Sequence, residues 1–175
     1  MRVKIRRSNS NDIDSIYHLH TLCFTKNDQW YKSSISQYLN NGIVIEFESN
    51  IIGVLLQGYI KPCTNNIFNN DNPDVFEPLT DNGTIFFNHN LHNSQVFGIV
   101  MICVHPNYRG KGLAKKLILK HHLTNHDVVC LNTRKSNINA FMLYKSMGYE
   151  HIAYIKNKYF LPNEDSIFMV KYLQK

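Results

Sequence analysis

Val104-His105-Pro106-Asn107-Tyr108-Arg109-Gly110-Lys111-Gly112-Leu113-Ala114 is the stretch on which the reading of the fold turns. Before it, Val96 to Val104 is nearly all apolar, as expected of a central strand covered on both faces. After it, Gly112 to His122 places Leu113, Leu117 and Ile118 at helical spacing. A strand therefore runs into a glycine-bearing turn, and a helix runs out of it. Glycines at the mouth of a helix let the backbone pack close to a ligand. They also leave the first-turn N–H groups with no partner inside the helix. Those donors, added to the positive end of the helix dipole, make a site for an anion such as a pyrophosphate. Arg109, Lys111, Lys115 and Lys116 add formal positive charge to the same spot.

Upstream, Val3-Lys4-Ile5-Arg6 alternates as a short first strand. Ser10, Asn11 and Asp12 are plausible caps for a helix that carries Ile13, Ile16, Leu19 and Cys23 on one face. A second helix is expected over Trp30 to Leu39, ended by Asn40-Asn41-Gly42. Ile43 to Phe47 and Ile51 to Leu56 read as a hairpin about a Ser49-Asn50 turn. Residues 61–94, rich in Asn, Asp and Pro, read as an irregular insertion loop. Its Asp71, Asp74, Glu77 and Asp81 are either a solvated surface or a means of holding a cationic substrate. Downstream, Val128 to Leu131 is a buried strand, and Ser136 or Asn137 caps a helix closed by Gly148. Tyr149 to Tyr154 and Ser166 to Tyr172 are the last strands, so the order is β-α-α-β-β-β-α-β-α-β-β.

The length of 175 residues suits one domain able to bury a full core. No apolar run approaches the roughly 18–20 residues of a membrane span. The basic start lacks the apolar core of a secretory signal. Cys23, Cys63, Cys103 and Cys130 form no C-x-x-C pair, which argues against zinc or a disulfide framework and for a reducing, cytoplasmic setting. The nine histidines show no metal-ligand spacing, so no metal is expected, and most read as surface or helix-end residues. The net charge of +6 is densest from Arg109 to Lys120 and has no aromatic interleaving. A phosphate-rich cofactor explains it better than a nucleic acid.

A second motif lies about 25 residues beyond the first: Ser136-Asn137-Ile138-Asn139-Ala140-Phe141-Met142-Leu143-Tyr144-Lys145-Ser146-Met147-Gly148-Tyr149. Here the chain strongly resembles the GNAT superfamily of N-acetyltransferases. The superfamily's pattern Q/R-x-x-G-x-G/A is met by Arg109, Gly112 and Ala114. Its pattern N-x-x-A-x-x-x-Y-x-x-x-G-F/Y is met by Asn137, Ala140, Tyr144, Gly148 and Tyr149. Finer features are similar to protein N-terminal acetyltransferases: Asn11-Asp12-Ile13-Asp14, Trp30-Tyr31-Lys32, Lys156-Asn157-Lys158-Tyr159 and Glu164-Asp165-Ser166.

The resemblance implies a single α/β domain over 1–175. Its mixed, mostly antiparallel sheet would splay between the fourth and fifth strands and be flanked by about four helices. It implies acetyl-CoA as co-substrate, with the backbone of Arg109, Gly110, Lys111, Gly112, Leu113 and Ala114 on the pyrophosphate. Ile102, Cys103 and Val104 would pair with the pantetheine arm. Asn137 would bond that arm or anchor its own helix, and Tyr144 would protonate the departing thiolate. The acceptor would be a primary amine, foremost a protein N-terminus, with Tyr159 closing over it and Phe24, Trp30, Tyr31 and Phe97 as further walls. The same aromatics could instead pack the helix on the sheet. Where this branch often carries Glu or His as base, the sequence reads Leu131-Asn132-Thr133. Asn132 accepts no proton but can hold a water, so the base is unassigned. A small-amine acetyltransferase, acting on an amino sugar or polyamine, and a non-catalytic CoA-binding module are the alternatives.

Overall fold

The computed structural model of the chain describes residues 1–60, 76–78, 96–123, 125–160 and 162–173. Its strands are β1 (Lys4–Arg7), β2 (Ile43–Phe47), β3 (Asn50–Ile60), β4 (Phe76–Pro78), β5 (Val96–Val104), β6 (Val128–Arg134), β7 (Glu150–Phe160) and β8 (Asn163–Tyr172). Its α-helices are α1 (Ile13–Cys23), α2 (Lys32–Ser36), α3 (Leu113–His121) and α4 (Ile138–Ser146). The protein is thus α/β, as the sequence implied. The described residues form two compact units, Met1–Gly58 with Ile99–Asn125 and Tyr59–Gly98 with His126–Lys175.

The first unit orders its strands β1-β2-β3-β5, with β1–β2 and β2–β3 antiparallel. The β2–β3 turn sits one residue earlier than the sequence suggests. Glu48 and Ser49, at φ 49° and 63°, form a two-residue turn of left-handed residues whose twist matches the right-handed twist of the flanking strands. Ile16, Leu19, Ile35, Val44, Val54, Leu56 and Met101 make the core between α1, α2 and the strands. The start of α1 is built differently from the expected simple cap. Asn9 caps a 3-10 turn over Ser10–Asp12 in a reciprocal capping box with Asp12. The Asp12 carboxylate also takes two bonds from Arg6, at 2.7 and 2.8 Å, and Arg6 reaches Glu46 at 3.0 Å. The guanidinium holds the Asp12 carboxyl below its usual range.

The second helix is far shorter than expected. Spacing predicts a helix over Trp30 to Leu39, but only Lys32–Ser36 is α-helical, followed by a 3-10 turn at Leu39–Asn41. Two causes are visible. The Trp30 N–H is taken by the His20 ring, so the chain enters extended at Tyr31. The serines compete for backbone groups, and the Ser36 hydroxyl bonds the Ser33 carbonyl at 2.7 Å.

In the second unit the strand order is β6-β8-β7-β4, with β6–β8, β7–β8 and β4–β7 antiparallel. Strand β4 corrects the reading of 61–94 as wholly irregular; the rest of that segment, with Asp71, Asp74 and Asp81, lies outside the described residues. The last two strands run longer than their apolar patterns, because the hairpin extends through polar residues to Phe160 and Asn163. Within β7 the register slips between Ile155 and Tyr159. Asn157 there adopts φ 51° and gives its N–H to the Asp165 carboxylate at 3.1 Å. Val96, Cys130, Ile152, Ala153, Ile155, Phe168 and Val170 form this unit's core.

Candidate active site

Strand β5 delivers the chain into the glycine loop of the first unit. The His105 ring accepts the Asn107 N–H at 3.2 Å and so caps a 3-10 turn over Pro106–Tyr108. Gly110 and Gly112 then adopt φ 74° and 73°, the left-handed region that costs other residues energy. A Cβ built on either meets nothing within 4 Å. Gly112 occupies the N-cap position of α3, and no side chain caps that helix. The first α-helical bond of α3 runs from Lys116 N–H to the Gly112 carbonyl at 3.2 Å. The amides from Leu113 to Lys115 therefore precede the internal ladder, which is the arrangement an anion site needs.

The charges near this loop are partly committed inward. Arg109 gives its Nε–H to the Val104 carbonyl at 3.1 Å, and the Cys23 thiol reaches the same oxygen at 3.4 Å. Lys111 Nζ lies 5.2 Å from the centre of the Tyr108 ring, which Phe47 and His105 hold by edge contacts at 5.8 and 5.4 Å. This narrows the expectation for Ile102–Val104. The Val104 carbonyl is already bonded to Arg109 and Cys23 and so is not open to an extended arm.

The second unit carries Tyr144, Asn132 and Tyr159. Tyr144, on the inner side of α4, is 5% exposed and meets the Tyr149 ring edge-on at 5.8 Å. Burial, then the nearby Tyr159 phenol, pushes its hydroxyl well above the ordinary tyrosine value, so it holds its proton at any physiological pH. Strand pairing sets Asn132 opposite Phe168 and Arg134 opposite Ser166. The fully buried Ser166 hydroxyl donates to Asn132 Oδ1 at 3.3 Å. Arg134 stacks its guanidinium on the Tyr159 ring at 4.1 Å while pairing with Glu164 at 3.2 Å. Glu164 also takes the N–H and the hydroxyl of Ser136. Burial would raise the Glu164 carboxyl, but these bonds outweigh it and hold it below the usual range. Asn137 accepts the Ala140 N–H at 3.1 Å, so of its two expected roles the geometry displays the helix anchor.

The predicted acceptor walls divide between the two units, Phe24, Trp30 and Tyr31 in the first and Phe97 and Tyr159 in the second. Tyr159 lies by Tyr144. Phe24 and Trp30 flank His20 at 4.6 and 6.4 Å and pack half-buried on the first core. Tyr31 is 82% exposed. Phe97 stacks on His126 at 4.3 Å with Tyr59 at its edge. The sequence pointed to Glu164 and Ser166 only through the resemblance and missed Arg134; the contacts of all three follow from cross-strand register. Most histidines read from the sequence as surface or helix-end residues, and His20 and His121 do stand in the last turns of α1 and α3, but neither is at the surface. His20 is instead fully buried, its Nε2 accepting the Trp30 N–H at 2.8 Å, and burial keeps it neutral by pushing its pKa down. His121 is buried too, with Nδ1 at 2.6 Å from the Gln57 side chain. Among the described residues no group of His, Cys, Asp and Glu is placed to hold a metal ion, and no helix is long and apolar enough to cross a membrane.

Residues 75–151 match the family model described as an acetyltransferase (GNAT) domain. The chain superposes on the ribosomal-protein-S18-alanine N-acetyltransferase of Escherichia coli with a TM-score of 0.72 at 15% identity, covering 99% of this chain and 96% of that one. It superposes on Arabidopsis thaliana Naa50, solved with the bisubstrate analogue CoA-Ac-MVNAL, with a TM-score of 0.68 at 16% identity over 98% and 99% of the two chains. At such identities these likenesses establish the fold. A curated relative, N-acetylaspartate synthetase of Xenopus tropicalis, is 38% identical over 58 residues, 31% of this chain. The match spans about a fifth of that relative, 21% of its length.

Proposed function

We propose that the protein is an acetyl-CoA-dependent N-acetyltransferase whose acceptor is a primary amine, foremost the α-amino group of a peptide or protein. The observation that carries this reading is the glycine loop: two left-handed glycines with open space beside them at the uncapped start of α3, inside a GNAT domain. The amides from Gly110 to Ala114 hold the diphosphate of the donor. The amine attacks the thioester carbonyl, the C–S bond breaks, and the thiolate takes its proton from Tyr144. Burial keeps the phenol protonated, and the same dry setting raises the proton affinity of a nascent thiolate beside it. The loss of the amine's own proton is left to water. Asn132 cannot take it, and its Oδ1 already accepts from Ser166. Both the E. coli enzyme named for an alanine of ribosomal protein S18 and Naa50 with a peptide-bearing analogue share this fold, which supports the peptide reading. Free thiols at Cys23, Cys103 and Cys130 suit a cytoplasmic location.

A second reading has its own support. The relative named N-acetylaspartate synthetase points to a free amino acid as acceptor. Acetyl-CoA turnover measured against a peptide array, aspartate, amino sugars and polyamines separates the two. Turnover confined to peptides upholds the first reading, and turnover confined to small amines replaces it. Binding of acetyl-CoA with no turnover on any acceptor leaves a CoA-binding module.

A further inference from the structure

Strand alternation puts Asn132, Arg134, Ser166, Glu164 and Tyr159 on one face of the sheet. Asn132 and Arg134 are two residues apart on β6, Ser166 lies opposite Arg134 on β8, and Tyr159 of β7 lies opposite Glu164. Arg134 reaches along this row from the end of β6 to the tip of the β7–β8 hairpin. Its Nη1 donates to the Pro162 carbonyl at 3.3 Å and to the Glu164 carboxylate at 3.2 Å. Its guanidinium lies 4.1 Å from the centre of the Tyr159 ring. The Arg134 and Glu164 side chains are only 15% and 17% exposed, so the pair escapes much of the screening that makes surface pairs weak. Glu164 also takes the N–H and the hydroxyl of Ser136, the residue before the Asn137 cap of α4. The Lys135 N–H adds a bond to the Asp165 carbonyl at 3.1 Å. The hairpin tip is thus fastened to the end of β6 and to the turn that starts α4. The apolar core of this unit is built from other residues, Ile152, Phe168 and Val170 among them.

We infer that Arg134 is a positioning residue for acceptor binding, and that with Glu164 as counter-ion it fixes the Tyr159 ring at the acceptor side of the row that begins at Asn132. The inference rests on the acetyltransferase reading, in which Tyr159 closes over the amine. A planar guanidinium can lay its face on the ring while its N–H groups donate in its own plane to Pro162 and Glu164. A lysine ammonium is a point charge on a flexible stem and cannot hold all of these partners at once. Glu164 keeps the guanidinium from turning away from the ring, and Ser136 keeps Glu164 in place. Arg134 therefore acts through Tyr159, with no contact of its own to the reacting atoms.

The test uses the full chain with Arg134→Lys and Glu164→Gln, each alone and combined with Tyr159→Leu. Steady-state kinetics are measured with the best acceptor, acetyl-CoA binding by calorimetry and stability in urea. Arg134→Lys should raise the acceptor KM by at least about tenfold, change kcat by less than about threefold and leave the acetyl-CoA Kd unchanged. Glu164→Gln should give a smaller rise of the same kind. With Tyr159→Leu already present, Arg134→Lys should raise KM by less than about twofold, because no ring remains to be held. A merely structural role would act equally in both backgrounds. Tyrosine-labelled NMR reads the same contact without turnover, and the Tyr159 ring signals should shift in Arg134→Lys. An unchanged acceptor KM, an equal rise with and without the Tyr159 ring, or unmoved Tyr159 signals would each overturn the inference. Shifted Tyr159 signals in a chain that turns over no acceptor would strike the acetyltransferase reading instead, and leave the hold of Arg134 on Tyr159 standing.

Discussion

The loop at Arg109–Gly112 and the tyrosine face of the second unit offer their chemistry in different ways. In the loop the functional groups are backbone amides, and the space beside Gly110 and Gly112 is open. On the tyrosine face the functional groups are side chains, and they are packed: Tyr144 is nearly buried and Ser166 wholly so. Gly98, at the start of β5, shows the second style in backbone form, since a Cβ there would fall on the Cys130 carbonyl. Open backbone holds an anion of fixed shape with little dependence on neighbours. Packed side chains instead tune proton affinity, as burial does for the Tyr144 hydroxyl. Binding and chemistry should therefore respond separately to substitution.

The largest effect is expected from Gly112→Asp. The carboxylate would stand where the diphosphate is held, and acetyl-CoA binding measured by calorimetry should weaken by at least about a hundredfold. Aspartate tolerates left-handed backbone better than most residues, so the fold should survive. Next comes Tyr144→Phe, which should lower kcat about a hundredfold and leave the acetyl-CoA Kd unchanged, dividing the two regions cleanly. A parallel fall in affinity would break the comparison. The raised Tyr144 pKa also sets the pH behaviour. The proton is retained as pH rises through the ordinary tyrosine value near 10, so kcat should show no alkaline decline from this group below about pH 10.

Gly98→Ala and Gly112→Ala sharpen the contrast on stability. The first forces a methyl onto a backbone carbonyl and should cost about 2 kcal/mol or more in chemical denaturation. The second adds only left-handed strain, about 1 kcal/mol, yet should impair acetyl-CoA binding because its methyl points into the open space. The smallest effect is expected for Ser166→Ala. It frees Asn132 Oδ1 from its hydroxyl partner and should change kcat by no more than about threefold, read in steady-state kinetics with the best acceptor.

Much of the loop was legible because glycine identity carries its own geometry, and Gly110, Gly112 and Gly148 all take the left-handed backbone that their positions suggested. Strand β5 was legible end to end, since an unbroken apolar run of that length has few other uses. Asn137 was legible as a cap for the same local reason. What the sequence hid depends on residues brought together from afar. Ser166 meets Asn132, and Arg134 meets Tyr159 and Glu164, only through the β6–β8 and β7–β8 registers. The truncation of the second helix turns on His20 taking the Trp30 amide, ten residues along the chain, which spacing of apolar residues does not reveal. The packing of Phe24 and Trp30 shows the same limit. An aromatic residue at helical spacing packs on a core or faces a ligand with equal ease, and Phe24 and Trp30 pack on the core.

The most direct test is an amide-resolved NMR titration of the full chain with acetyl-CoA. The account predicts that the N–H signals of Gly110, Lys111, Gly112, Leu113 and Ala114 shift most, saturating together at one Kd, and that all five stay still in Gly112→Asp. Tight binding of the ligand with those five amides unmoved in the wild type would contradict it.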